Sequence, residues 1–185
     1  MADQPLNEKK MLLDMLEKRI LHLCGKINFS MSEDLSKAIL WLNAQSTEDP
    51  ITLYIDSTGG SVTPGLAMYD MIRHSKAPVN AVVIEASSMA AVILQACKKR
   101  SALPHSTVLV HSISLAENTR LCDVEDNIDK ALARSRKNQL MIDEIYHKRA
   151  GISLSMLRKM NRRDKSLNAK EALELNLIDE ILDKE

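Results

Sequence analysis

Aromatic side chains are scarce in this chain. Phe29, Trp41, Tyr54, Tyr69 and Tyr146 are the only five among 185 residues. That excludes a platform on which the bases of a single-stranded nucleic acid could stack. It also leaves the core to aliphatic residues, with ten methionines as adaptable filler. An excess of one charge is missing as well. Lys and Arg total 25 against 25 Asp and Glu, so no basic face advertises nucleic acid. Apolar runs are short and interrupted, so no membrane span is expected. The first ten residues are polar and lack the apolar stretch of an export signal. Cysteine is limited to Cys24, Cys97 and Cys122, with no CxxC spacing, and the five histidines are scattered. The expectation is buried, reduced thiols in a cytoplasmic-type compartment, with no disulfide framework and no metal site. No stretch rich in Gly, Pro or Ser divides the chain, which reads as one domain over residues 1–185.

Helical and strand patterns alternate along that domain. A short helix is expected over residues 11–19, with Leu12, Leu13 and Leu16 on one side, and a strand over 20–23 closed by Gly25. A helix over 31–44 follows, with Ser32 as a candidate cap. Residues 51–55 form a compact strand that stops at Asp56-Ser57-Thr58-Gly59-Gly60. The next helix runs over 63–75, with Thr63 as N-cap and Pro64 at the first helical position. Further strands are expected over 79–84 and 106–110, with a helix of small residues over 87–97 between them. The longest helix covers 123–149, roughly 40 Å at 1.5 Å per residue. That is long for a domain of this size: either the helix lies across its own sheet or part of it projects and packs on a partner. Gly151 ends it. Asn168-Ala169-Lys170-Glu171 opens a last helix as a capping box, and 177–182 form a final strand. The alternation indicates an α/β fold with mainly parallel pairing.

Four local signals bear on chemistry. Gly60 and Gly65 have the outer spacing of a phosphate loop, but Leu66-Ala67 stand where Lys-Ser/Thr would be required. Nucleotide binding is therefore not expected. Gly59-Gly60 between a strand and a helix serves either as a tight turn or as backbone that can approach a ligand closely. Ser87-Ser88 at a helix start is either a cap or a nucleophile on a strand-to-helix turn, although GxSxG itself is absent. His111 follows a strand and is either structural or a base. Asp164, in Arg162-Arg163-Asp164-Lys165, reads alone as a surface charge. Taken together the four form a chain-ordered set, a glycine turn, a serine at a helix start, a histidine at a strand end and a late aspartate, and a triad is recognised by roles rather than by chain order.

Longer stretches then resemble a known family. The segment from Leu53 through Asp56-Ser57-Thr58-Gly59-Gly60 to Gly65, with Tyr69-Asp70 beyond it, is similar to the strand and glycine loop of the Clp protease proteolytic subunits. Glu85-Ala86-Ser87-Ser88-Met89-Ala90-Ala91 resembles their nucleophile segment. Leu103-Pro104-His105-Ser106 with Val110-His111 resembles their base segment, and Arg163-Asp164 with Asn168 to Leu173 and Leu177-Ile178-Asp179 their C-terminal segment. The resemblance implies a crotonase-like fold of repeated β-β-α units with a protruding helical handle over 123–149. It implies a catalytic Ser88, His111 and Asp164, an oxyanion hole at the N–H groups of Gly60 and Met89, and substrate binding along Ser61 and Val62. It further implies a peptidase core that itself uses no ATP, works within an ATP-dependent protease and has no cofactor of its own. Its substrates would be peptides and unfolded proteins, hydrolysed inside a tetradecamer of two stacked heptameric rings. An AAA+ unfoldase, which binds the ATP, or a second related subunit would be its partner. A cytoplasmic location is expected, and an organelle interior fits equally. The alternative is a catalytically weak or structural subunit acting in a mixed ring. The chain departs from the family at 112–119, where glycines give way to branched and polar residues, at its short N-terminal segment, and at Asp56 and Ser87.

Overall fold

The computed structural model describes residues 7–114, 121–162, 164 and 166–183, with the backbone alone for 121–128. The departure at 115–119, the N-terminal segment up to residue 6 and the Cys122 side chain lie outside the described residues. The element order is α1 (Glu8–Glu17), β1 (Ile20–Ile27), α2 (Phe29–Gln45), β2 (Ile51–Gly60), α3 (Val62–His74), β3 (Val79–Ser87), α4 (Met89–Leu94), β4 (Arg100–Leu109), α5 (Leu121–Ala150), α6 (Leu154–Met160), β5 (Ser166–Asn168), α7 (Ala169–Glu174) and β6 (Glu180–Ile181). Strands β1 to β4 pair in sequence order and in parallel. On the other side of β4, β5 pairs antiparallel and β6 parallel.

Each long strand bends at the same level of the sheet. The register shifts between Cys24 and Lys26, between Ile55 and Asp56, and between Val83 and Glu85. On β4, Ala102 still pairs with Val83, but the next paired residue is Thr107, opposite Glu85, so Leu103-Pro104-His105-Ser106 leaves the ladder. Aligned irregularities bend a sheet sharply. They divide each strand into two stretches followed by a helix, which is the expected β-β-α repeat.

The same bend accounts for most displaced boundaries. Gly25 does not close β1. It sits in the bulge at φ +86°, and the strand continues to Ile27. Ser57 Oγ donates to the Gly25 carbonyl at 2.6 Å, so a side chain takes up a carbonyl at the irregularity. Strand β2 runs five residues further than expected, through the glycine pair itself. The cap of α2 is Asn28, whose Oδ1 accepts from Met31 N–H at 2.9 Å, while Ser32 is buried inside the helix. The cap position of α3 is Ser61 rather than Thr63. Pro64 then falls third in the helix, still within the first turn, where an N–H is not needed.

The core is aliphatic, as the composition requires. Leu23, Ile27, Ile39, Leu42, Ile51, Leu53 and Ile55 are almost fully enclosed. All six residues of α4 are buried, so the small-residue helix is a core element. Helix α1 buries none of its residues, and Leu12 and Leu13 are exposed. Among its described side chains, helix α5 joins the core near its C-terminal end, at Ile142, Tyr146 and Ala150, while Leu140 is exposed. The thiol expectation is half corrected: Cys97 is buried, but Cys24 is exposed because its alternating partners Leu21 and Leu23 take the inner face.

A polar cluster fixes the C-terminal elements to this core. The Arg100 side chain is 3% exposed and Asp179 34%. Arg100 Nε donates to Asp179 Oδ2 at 3.1 Å, Nη2 donates to Oδ1, and its backbone N–H adds a third bond to this carboxylate at 2.8 Å. Arg100 Nη1 donates to Gln95 Oε1 at 2.5 Å, and Gln95 Nε2 donates to the Leu177 carbonyl at 3.2 Å. Partial burial pushes the Asp179 carboxyl up, but the hydrogen bonds and charge of Arg100 outweigh it and hold the group below the ordinary carboxylate range.

Removing Asp179 would strand a buried guanidinium, which typically costs about 3–5 kcal/mol. One third of Asp179 is open to solvent, so Asp179→Asn should cost no more than about 3 kcal/mol in urea unfolding near neutral pH. A carboxyl lowered by folding stabilises fully above its unfolded value of about 3.9 and loses that contribution as pH falls through its folded value. The gap between wild type and variant should therefore narrow on acidification. A gap independent of pH would refute the assignment.

Candidate active site

Strand β3 ends at Ser87 and α4 begins at Met89, so Ser88 occupies the turn alone. Its backbone stands at φ 56°, ψ −120°, outside the regions that non-glycine residues favour. Such a conformation costs on the order of 1–3 kcal/mol and persists only where its surroundings impose it. Here they do: the Ser88 N–H bonds the Leu109 carbonyl of β4 at 2.9 Å. Ser88 holds the N-cap position of α4, yet its hydroxyl makes no capping bond. The neighbouring Ser87 donates its hydroxyl to Glu85 Oε1 at 3.0 Å. The capping alternative for the serine pair therefore falls away, and Ser88 keeps a hydroxyl uncommitted to the backbone.

The glycine loop presses directly on this turn. A Cβ at Gly59 would lie 2.7 Å from Ser88 Cβ, 2.7 Å from the Ser87 carbonyl oxygen and 2.9 Å from Met89 N, and its φ is +92°. A Cβ at Gly60 would run into the backbone of Ile27. Glycine is thus required at both positions, by close approach as well as by conformation. Gly65 leaves the space that the Met89 side chain fills. Met89 is the first residue of α4, where N–H groups lack partners within the helix. Ser61 spends its N–H on the Ile27 carbonyl at 3.0 Å and its carbonyl on Gly65 N–H at 3.2 Å, and Val62 begins α3. Ser61 therefore has no spare backbone donor along this stretch.

His111 and Asp164 meet through the sheet register. Antiparallel pairing sets Thr107 against Asn168, Val108 against Leu167 and Leu109 against Ser166. Two further steps outward on each strand set residue 111 against residue 164. His111 Nδ1 lies 3.7 Å from Asp164 Oδ1, with the histidine side chain 22% exposed and the aspartate 74%. Asp164 is at φ 42°, in the left-handed region. Asp164 is thus a surface charge, but one that has His111 as a neighbour. No hydrogen bond joins Ser88 to His111 among the described residues. Unliganded catalytic sites often have such loose contacts.

A half-buried polar relay, not seen in the sequence, supports the segments on both sides of this pair. Gln139 Oε1 accepts the Ile113 N–H at 2.8 Å, two residues after His111. Gln139 Nε2 donates to Asp143 Oδ1 at 2.8 Å, and Asn161 Nδ2 donates to the same oxygen at 3.3 Å, three residues before Asp164. Asp143 is 8% exposed. Its signal in the sequence was a carboxylate on the apolar stripe of a helix, beside Ile142 and Tyr146. The capping box at Asn168, by contrast, forms as read: Asn168 Oδ1 accepts from Glu171 N–H and Glu171 Oε2 accepts from Asn168 N–H, both at 3.0 Å. Two clefts, of about 270 and 420 Å³, lie beside Arg149 and contain none of Ser88, His111 and Asp164. The candidate site is marked by its chemistry rather than by the depth of a pocket.

A bent parallel sheet that offers a serine on a strained strand-to-helix turn, under a glycine loop, defines a class of α/β hydrolytic fold. The family model described as Clp protease matches residues 4–185, and the chain belongs to that family. Its fold is the ClpP type, and family membership makes it a ClpP-like peptidase. No helix among the described residues is long and apolar enough to cross a membrane.

Gly59→Ala should displace the Ser88 turn while leaving the sheet formed. Misplacement by about 1 Å can cost about 100-fold in rate, so hydrolysis of a fluorogenic peptide should fall by at least about that factor. Unchanged hydrolysis would count against the close approach. Asp143→Ala removes the acceptor of two amide groups. It should lower stability by about 1–3 kcal/mol, read from the urea midpoint, and a neutral effect would argue against the relay.

Proposed function

We propose that this chain is the serine peptidase core of a Clp-type protease and that Ser88, His111 and Asp164 are its catalytic triad. The observation that carries the reading is the antiparallel register of β4 and β5, which aligns Asp164 with His111 beside the strained Ser88 turn. Ser88 Oγ attacks the peptide carbonyl. His111 takes the hydroxyl proton and returns it to the leaving amine, while Asp164 orients the imidazole and balances its charge. The N–H groups of Gly60 and Met89 hold the oxyanion, with the peptide laid along Ser61 and Val62. Substrates are peptides and unfolded proteins. The chain uses no cofactor of its own, and the ATP is spent by a partner AAA+ unfoldase.

In this reading the protein acts as two stacked heptameric rings. Helix α5 supports that assembly, because it has 30 residues and, among its residues 129–150, reaches the core first at Ile142. One observation favours the second reading, a catalytically weak subunit in a mixed ring: the His111–Asp164 contact is 3.7 Å long, with most of the aspartate in solvent.

Active-site labelling separates the two. A serine-directed fluorophosphonate should modify Ser88 alone, as mapped by peptide mass spectrometry. His111→Ala should abolish the adduct, and Ser88→Ala should remove peptide hydrolysis without dissolving the particle. Absence of label on Ser88 in a confirmed homo-oligomer would sink the first reading and leave the second.

A further inference from the structure

Strand pairing assembles a second cluster of reactive side chains, on the sheet face opposite the buried leucines. Parallel pairing of β1 with β2 sets Cys24 against Asp56 and His22 against Tyr54. His22 and Cys24 lie two residues apart and so share one face of β1, while Leu21 and Leu23 take the other. Asp56 shares that face from β2, between the buried Ile55 and Ser57. An imidazole nitrogen, the Cys24 sulfur and a carboxylate oxygen all lie within 4.8 Å of one another. Cys24 Sγ is 4.0 Å from Asp56 Oδ2. His22 and Cys24 are exposed and Asp56 is half-buried, so the group is open to solutes.

We infer that His22, Cys24 and Asp56 form a binding site for one borderline transition-metal ion, with zinc(II) the best match. The donor set decides the class. Calcium and magnesium take oxygen ligands, whereas nitrogen and sulfur beside one carboxylate suit zinc. Zinc–ligand bonds of about 2.0–2.3 Å in a tetrahedron put neighbouring ligand atoms about 3.3–3.8 Å apart. The present separations reach that range by small side-chain rotations on fixed strands. Three protein ligands leave a fourth position for water or an incoming group, the pattern of an open rather than a closed zinc site. On binding, the Cys24 thiol gives its proton to solvent and coordinates as thiolate, while Asp56 and neutral His22 bind without losing one. Cys97 does not compete, because it is fully enclosed and burial pushes its thiol up to about 12. The ion would brace β1 against β2 beside the Gly25 bulge, at Asp56, which lies three residues before Gly59. The inference does not depend on the peptidase reading.

The test is titration of the reduced, tag-free, full-length protein with cobalt(II) as a spectroscopic probe, followed by competition with zinc(II). One equivalent should bind with a thiolate-to-cobalt charge-transfer band and the visible bands of a tetrahedral ion, and zinc should displace it. Cys24→Ser should remove the charge-transfer band. His22→Ala and Asp56→Asn should each weaken binding at least about tenfold, the least that loss of even an outer-shell partner usually costs, with circular dichroism unchanged. Lack of the band in wild type, or its survival in Cys24→Ser, would overturn the site. So would unchanged affinity in either of the other two variants.

Discussion

The ion pair between Arg100 and Asp179 is the contact on which the geometry of the candidate active site depends. Residues 79 apart are joined by a guanidinium that has almost no access to water. A buried charge of this kind is tolerable only while its partners stay in place. Gln95 adds a further acceptor and ties the same cluster to the end of α4 and to Leu177. The C-terminal segment is thereby held against β4, and β5 can pair with Thr107, Val108 and Leu109 in one register. That register delivers Asp164 to His111. Arg149 reinforces the arrangement from α5 by donating to the carbonyls of Cys97 and Lys98, at 3.0 and 2.9 Å.

A second constraint acts on the other side of the serine. The sheet bends where its register slips, and the bend carries β2 onward to Gly60. Gly59 then packs on the Ser88–Met89 backbone with no room for a side chain. Close approach on one face and the Leu109 carbonyl on the other hold Ser88 in a backbone conformation it would not adopt alone. The strain at Ser88 is thus maintained by two strands, and the relay through Gln139, Asp143 and Asn161 plays the corresponding part for the segments around His111 and Asp164.

Much of this was legible in the sequence wherever the cause is local. The apolar alternation of β2, the glycine pair, the small-residue helix behind Ser88 and the capping box at Asn168 and Glu171 each depend on neighbours within a few residues. What escaped depends on distant ones. Gly25 reads as a stop because a bulge can be told from a turn only when the partner strand is known. The first half of β4 was hidden because Leu103-Pro104 interrupts the alternation at the bend. Asn28 caps α2 in place of Ser32 because Ser32 is buried inside the helix, which no local pattern shows. Asp143 takes its part in the relay only because the fold brings Asn161, just after α6, to its carboxylate. His22, Cys24 and Asp56 looked scattered because only parallel pairing brings positions 22 and 24 beside 56.

The order in which the pieces occur along the chain has a consequence for biosynthesis. Ser88 and His111 are made early, and the four parallel strands between Ile20 and Leu109 can pair as they emerge, since synthesis proceeds from the N-terminus at roughly 5–20 residues per second. The far side of β4 stays bare until β5 and β6 arrive, and Arg100 has no counter-charge until Asp179 is translated. A nascent chain that has made Ser88 and His111 therefore still lacks both Asp164 and the clamp that seats it. Translation order thus delays completion of the candidate site, and a chain that stalls before Asp179 leaves an unpaired β-edge and an uncompensated cation.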